Sequence, residues 1–376
     1  MLNHSLKIKP KEKVLITVSD LALSLGKAVY QETLKLGAYP LLDIVPSGFD
    51  YIFYNNANDW QLNYVPTELI KQKIKWADAY VRIVADDNLR ELAQIDPEKM
   101  SIRSKITRPL MDPMIDSKRW ILTWYPTPAM AQEAGVSSDW MRDFYFNACL
   151  VDYAKMERDL KKLEGIMDKG SEIHVVGKMT DLYVNIKGRL AEACAGECNI
   201  PDGECFLAPV TEGVNGEVYF ELPTLAYGHE VSGIHLEFKE GKVINARAEK
   251  GDQALQKMLD TDIGARYLGE FAIGANFNIT RGMLNTLFDE KIGGTIHMAL
   301  GRAYKNTRGC GENVSAIHWD LVKDMRTQGS VLTIDGKVIL KEGKLSVGFV
   351  VRYIVSQKTA IFACWQICFD SCQHCE

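Results

Sequence analysis

The chain has 376 residues, with 44 basic against 49 acidic side chains and a formal net charge of −5. Charged residues make up 25% and apolar ones 47%, proportions that exclude a wholly disordered or collagen-like chain. A mildly acidic chain has no general electrostatic reason to bind nucleic acid, and no apolar run approaches the ~20 residues that span a bilayer. Neither nucleic acid nor membrane is therefore expected as a partner. Residues 1–14 mix Lys with Leu and Ile and lack the apolar stretch of a secretory signal, so a cytoplasmic address is the expectation. Nine scattered cysteines, an odd number, argue against a complete disulfide framework. The length suggests two domains.

Residues 14–18 (VLITV) read as a short strand, and Asp20 stands where it could cap the next segment. Residues 21–36 carry Leu21, Leu25, Ala28, Val29, Leu34 and Leu36 close to a helical period, and Gly37 ends the run. Residues 41–45 (LLDIV) form a second strand; such a βαβ unit implies a parallel sheet. Residues 79–85 (AYVRIVA) and 120–125 (WILTWY) are further strands, the latter closed by Pro126 and Pro128. Residues 138–167 read as one long helix with Asp139 as a cap option, flanked at its finish by Gly165 and Gly170. An N-terminal α/β domain is thus expected over 1–168. No G-x-G-x-x-G follows the first strand, where the chain reads Ser19-Asp20-Leu21-Ala22-Leu23-Ser24. This half is read as structural and not as a nucleotide site.

From Ser171 the texture changes to short alternating runs. Residues 173–176, 182–186, 216–222, 234–239 and 242–248 read as strands, with a hairpin turn at Glu240-Gly241 and a short helix at 253–259. The expectation is a mixed, largely antiparallel α+β catalytic domain over 169–344, with no internal repeat.

Five potential metal ligands lie in apolar surroundings here: Glu204, Glu270, His297, His318 and Asp320. Acids among apolar neighbours are costly to bury unless paired or metal-bound. Two Glu, two His and an Asp make an oxygen–nitrogen set that suits Zn, Co or Mn better than a soft copper site. In a strand, His318 and Asp320 would project together, with Trp319 on the other side. Each residue alone also has an ordinary reading: a solvated carboxylate, a cap, or a satisfied core imidazole. Their joint occurrence is the more informative feature. Cys205 beside Glu204 is read as a packed small residue.

The stretches NIPDGECFLAP (199–209), GEFAIGAN (269–276), LFDEKIGGTIHMALG (287–301) and NVSAIHWDLV (313–322) resemble the thermophilic aminopeptidase family, peptidase family M29. Weaker similarity runs through TDLYVNIKGR (180–189) and back across the α/β half, reaching about Lys344. The resemblance implies a two-domain, cytoplasmic, homodimeric metalloaminopeptidase. It would remove N-terminal residues from peptides with a free N-terminus, using two divalent metal ions (Zn, Co or Mg). It carries over Glu204, Glu270, His297, His318 and Asp320 as metal ligands, with Glu204 and Glu270 as candidates for base duty as well. Tyr304, soon after His297, matches a catalytic tyrosine of the family. The loop between His297 and His318 looks shorter than in longer members. Glu290 could support the ligands, but a plain salt bridge with Lys291 is the preferred reading. Two other functions stay open: a metal-dependent amidohydrolase or dipeptidase on another small substrate, and a catalytically silent metal- or peptide-binding dimer.

The family pattern fades after Gly343. The tail, 345–376, holds Cys364, Cys368, Cys372 and Cys375 at helical spacings, with His374 nearby. A zinc or iron–sulfur site is one reading, but those spacings differ from the C-x-x-C pairs such sites usually use; a short apolar helix, a non-native extension or a poorly ordered tail is preferred.

Overall fold

A computed structural model describes residues 1–117 and 119–346. The Cys-rich tail, with the readings given for it, lies outside the described residues apart from Leu345 and Ser346. Among the described residues the chain divides into two compact units, one built from Met1–Leu150 with Gly196–Pro201, the other from Val151–Ala195 and residues 202–346. The division comes at Leu150/Val151, ahead of the expected residue 168. The cause is a break in the expected long helix. Ser138–Cys149 is one helix, capped by Ser137 and not by Asp139: the Ser137 hydroxyl accepts from Trp140 N at 3.2 Å. A new helix, Tyr153–Met167, starts where the Asp152 carboxylate accepts from Lys155 N at 3.0 Å. It buries Met156, Leu160, Leu163 and Met167 and packs on strands of the second unit, to which it belongs.

The first unit is a parallel sheet with crossover helices, as the βαβ pattern implies. Its strand order is Tyr39–Val45, Lys13–Ser19, Ala79–Val84, Trp120–Trp124 and Asn199–Ile200, every pairing parallel. Val14, Ile16, Val18, Val81, Ile83 and Ile121 fill its core. Strand order reverses beside Lys13–Ser19, the place where open α/β sheets tend to bind ligands. There the Asp20 carboxylate accepts from Leu21 N (2.9 Å), Ser47 N (3.1 Å) and Ser47 Oγ (2.8 Å). An acid already holds the amides that would meet an anion. Asp20 ties two turns together; it lies in a short 3-10 turn, Asp20–Ala22, ahead of the helix Leu23–Lys35 and does not cap that helix.

The second unit carries two antiparallel sheets. All five runs expected as strands are strands: Glu172–Gly177, Thr180–Asn185, Val214–Phe220, His229–Lys239 and Lys242–Lys250. They join one nine-stranded sheet. Glu240 and Gly241, at φ 49° and 79°, form the two-residue turn, and Asp252–Leu259 is the short helix. The other sheet has five strands in the order His318–Asp324, Thr295–Gly301, Leu268–Gly274, Glu204–Leu207 and Glu192–Cys194. One face of it is apolar except for the buried Lys323: Cys205, Leu207, Phe271, Ile273, Ile296, Met298, Leu300 and Leu321 are all buried there. That face meets the larger sheet, with Trp319 Nε1 donating to Leu225 O at 3.1 Å and Lys323 Nζ to Tyr219 O at 3.0 Å. No helix among the described residues is long and apolar enough to cross a membrane.

Candidate metal centre

The opposite face of the five-stranded sheet carries the charge. Strand register explains why. Glu270 lies opposite Ala299, and Ala299 opposite Asp320; Gly301 pairs with His318, His297 with Ala272, and Gly274 with Glu204. Cross-strand partners point to one side, and so do residues two apart. Glu204, Glu270, His297, His318 and Asp320 therefore share one face, drawn from four neighbouring strands. A bulge between Leu268 and Glu270 resets the register just at the ligand position. The same face holds Ala272, Gly274, Ala299 and Gly301 between the polar groups, so a floor of minimal side chains leaves room above it.

Two glycines fix the approach. Gly203, at φ 133°, places the backbone before Glu204 where a Cβ would sit 3.0 Å from Asn276 and Met156. Gly301, at φ 99°, ends its strand with an added Cβ only 2.4 Å from Ile317 O. Both conformations are cheap for glycine alone.

The expected residues converge. His297 Nε2 lies 3.1 Å from Glu204 Oε2 and 3.3 Å from Glu270 Oε1. His318 Nε2 lies 3.5 Å from Glu270 Oε2 and 3.7 Å from Asp320 Oδ1. Glu270 thus turns one oxygen to each imidazole. The His318 Nδ1 atom sits 2.7 Å from Arg302 O; with Nδ1–H donating there, the Nε2 lone pair is directed at the carboxylates. Glu204, Glu270 and His297 form one group of donors within 4.8 Å of one another, and Glu290, His297 and Asp320 a second.

Electrostatics here are strained. Glu204, Glu270, His297 and Asp320 are all buried. Three of their polar atoms, Glu204 Oε2, His297 Nδ1 and Asp320 Oδ1, have no hydrogen-bond partner, an unusual state for buried groups. Burial pushes the Glu270 carboxyl up from its ordinary range. It also pushes Glu290 up, to about 8. Burial acts on Glu204 too, but Lys291 and His297 outweigh it and hold that carboxyl at about 2. His297 is disfavoured as a cation by burial, yet Glu204 and Glu270 lift it well above the usual imidazole range. The orphaned carboxylate oxygens and the hard donor set fit divalent cations.

Tyr304 is 41% exposed; its ring centroid lies 5.1 Å from that of His318 and 5.6 Å from that of Phe206. Burial of its hydroxyl and the nearby Glu270 and Asp320 hold the phenol well above its usual range. The loop bearing Tyr304 joins the Thr295–Gly301 and His318–Asp324 strands. It is anchored by the Arg308 guanidinium on Asp168 (2.9 and 2.6 Å) and by Arg189 on Glu312 (2.6 Å). Cys205 is a buried free thiol whose pKa burial drives well up, in keeping with a packed residue and not a nucleophile.

The ion pair expected between Glu290 and Lys291 is present. The sequence reading missed that Glu290 also enters a donor group, and that Lys291 is fully buried and bound to Glu204 at 2.6 Å. The signal was available: a Glu-Lys pair interrupting the apolar run LFDEKIGGTIHMALG.

The family model described as thermophilic metalloprotease (M29) matches residues 1–345. The chain belongs to the M29 metalloprotease family. It is accordingly a peptidase hydrolase of a family that uses divalent metal. Among relatives of this M29 chain, aminopeptidase 2 of Geobacillus stearothermophilus is 30% identical over 299 residues, 67% of this chain and 70% of that one. Aminopeptidase T of Thermus thermophilus is 37% identical over 171 residues, 39% of this chain and 41% of its own. A solved structure described as wild-type AmpT from Thermus thermophilus superposes with a TM-score of 0.80 at 22% identity, covering 92% of this chain and 96% of that one. The M29 chain and that structure share a fold.

Proposed function

We propose that this M29 chain is an aminopeptidase that hydrolyses the N-terminal residue from peptides with a free N-terminus at a two-ion centre. The observation that carries the reading is the set of five donors on one sheet face with three buried polar atoms left unpaired. Glu204, Glu270, His297, His318 and Asp320 would hold the ions. When bound, divalent ions lower the pKa of a water and polarise a scissile carbonyl. The aminopeptidase names of the relatives support the bond type.

The chain's own groups do the rest. Glu204 has Oε1 tied to Lys291, which leaves Glu270 as the carboxylate with both oxygens on the donor cluster. We assign Glu270 to holding the ions through one oxygen, with the other available to accept a proton from the water they would activate. Asp320 Oδ1, without a hydrogen-bond donor, and the Glu290 carboxyl offer acceptors to a substrate α-ammonium. Tyr304 keeps its proton across neutral pH and donates to the oxygen on which negative charge develops. The homodimer and the cytoplasmic location belong to the same proposal, supported by the resemblance alone; light scattering tests the first.

Hydrolysis of a leucyl peptide and its N-acetylated form, before and after chelation and zinc return, tests the reading. Expected is cleavage of the free form only, lost on chelation and restored by zinc. Cleavage of both forms would replace the reading with an amidohydrolase. Absence of cleavage at full zinc loading would leave a silent binder.

A further inference from the structure

Lysine is almost never fully buried unless paired. Lys291 is 1% exposed and holds two carboxylates, with Nζ 2.6 Å from Glu204 Oε1 and also paired to Glu290 Oε1. It follows the short helix Thr286–Asp289, and its backbone carbonyl accepts from Asn276 N at 3.0 Å, so the main chain at its root is fixed. The consequence for Glu204 is specific. One oxygen is taken by the ammonium. The other, Oε2, faces His297 and has no hydrogen-bond partner. A carboxylate held this way offers one oxygen to a cation and cannot turn to chelate with both.

Charge gives a second consequence. Two bound divalent ions would hold the carboxylates ionised and the imidazoles neutral, and in that state Glu204, Glu270, Glu290 and Asp320 against Lys291 make three negative charges. Two divalent ions would bring the cluster to one positive charge in excess. Without the lysine they would only neutralise it. We propose that Lys291 is a resident cation of this site and a positioning residue: it restricts Glu204 to a single donor oxygen and keeps the ion-loaded cluster one charge positive. It weakens ion binding, because like charges repel across a low-dielectric site. It favours the reaction, because the excess positive charge stabilises an ionised water and a developing oxyanion. The inference rests on the two-ion reading above.

The experiment compares wild type, Lys291→Met and Lys291→Arg. Zinc affinity is measured by competition with a chromophoric chelator, melting temperature with and without zinc, and kcat and KM on a leucyl peptide. For Lys291→Met the expected result is zinc binding about tenfold tighter or more and a lower melting temperature without zinc. Its zinc-induced stabilisation is larger, and kcat falls with KM little changed. A merely structural lysine would move affinity the other way, so zinc binding equal to or weaker than wild type overturns the proposal. Lys291→Arg keeps the charge, and its zinc affinity is expected within about threefold of wild type. If the Met variant yields no folded protein, a loss of more than about tenfold in Lys291→Arg overturns the proposal by itself. Zinc binding by none of the three proteins would instead overturn the metal reading on which this one rests.

Discussion

In the parallel sheet of the first unit, carboxylates keep to the margins and each has a partner. Glu12 takes the Arg119 guanidinium (2.7 and 2.8 Å), Asp43 takes Lys73 (2.7 Å), and Asp78 accepts from Lys13 N (2.9 Å). In the antiparallel sheet of the second unit, Glu204, Glu270 and Asp320 stand buried on one face, and Glu204 Oε2 and Asp320 Oδ1 have no hydrogen-bond donor. Both sheets have five strands and apolar cores. What separates them is the ratio of burial to pairing. Where pairing keeps pace the acids are structural ties; where burial outruns it the fold has kept a place for cations.

Breaking the second sheet should have the larger effects. Glu270→Ala removes the carboxylate that faces both imidazoles, and turnover should fall by about a hundredfold or more; an unchanged kcat would remove Glu270 from the chemistry. Tyr304→Phe keeps the ring and loses the donor, so kcat should drop by about a hundredfold with zinc content unchanged. Ala299→Val adds bulk to the floor between Glu270 and Asp320 and should cost about 1–3 kcal/mol together with weaker zinc binding. Denaturant unfolding and chelator competition check the two parts.

The smallest effect belongs to the first sheet. Glu12→Gln should cost no more than about 1 kcal/mol and leave kcat and KM as they are. The Arg119 hydrogen bond lowers the Glu12 carboxyl from 4.5 to about 2. The folded state therefore binds fewer protons than the unfolded one between those values. The contribution is complete above pH 4.5 and is lost as pH falls toward about 2. Stability of wild type relative to Glu12→Gln, measured from pH 6 to pH 3, should shrink accordingly; a constant gap would deny the pair its role.

The donors were legible because acids and imidazoles in apolar runs stand out. His318 and Asp320 were also legible as a pair, since side chains two apart on a strand share a face. The floor of Ala272 and Ala299 was not, because cross-strand register depends on the bulge at Leu268–Glu270, which has no local sequence mark. The helix break at 150–152 was hidden by Leu150 and Val151, which continue the apolar pattern across it; only Asp152 marks the new start. The strand Asn199–Ile200, lent to the first unit's sheet, is two residues long and carries no periodicity to read.

The most direct measurement is the anomalous difference map of a zinc-loaded crystal. The account predicts two peaks flanking Glu270, with Glu204 Oε2, His297 Nε2, His318 Nε2 and an Asp320 oxygen within about 2.0–2.2 Å of one or the other. A fully occupied zinc ion elsewhere, with this face of the sheet left empty, would contradict it.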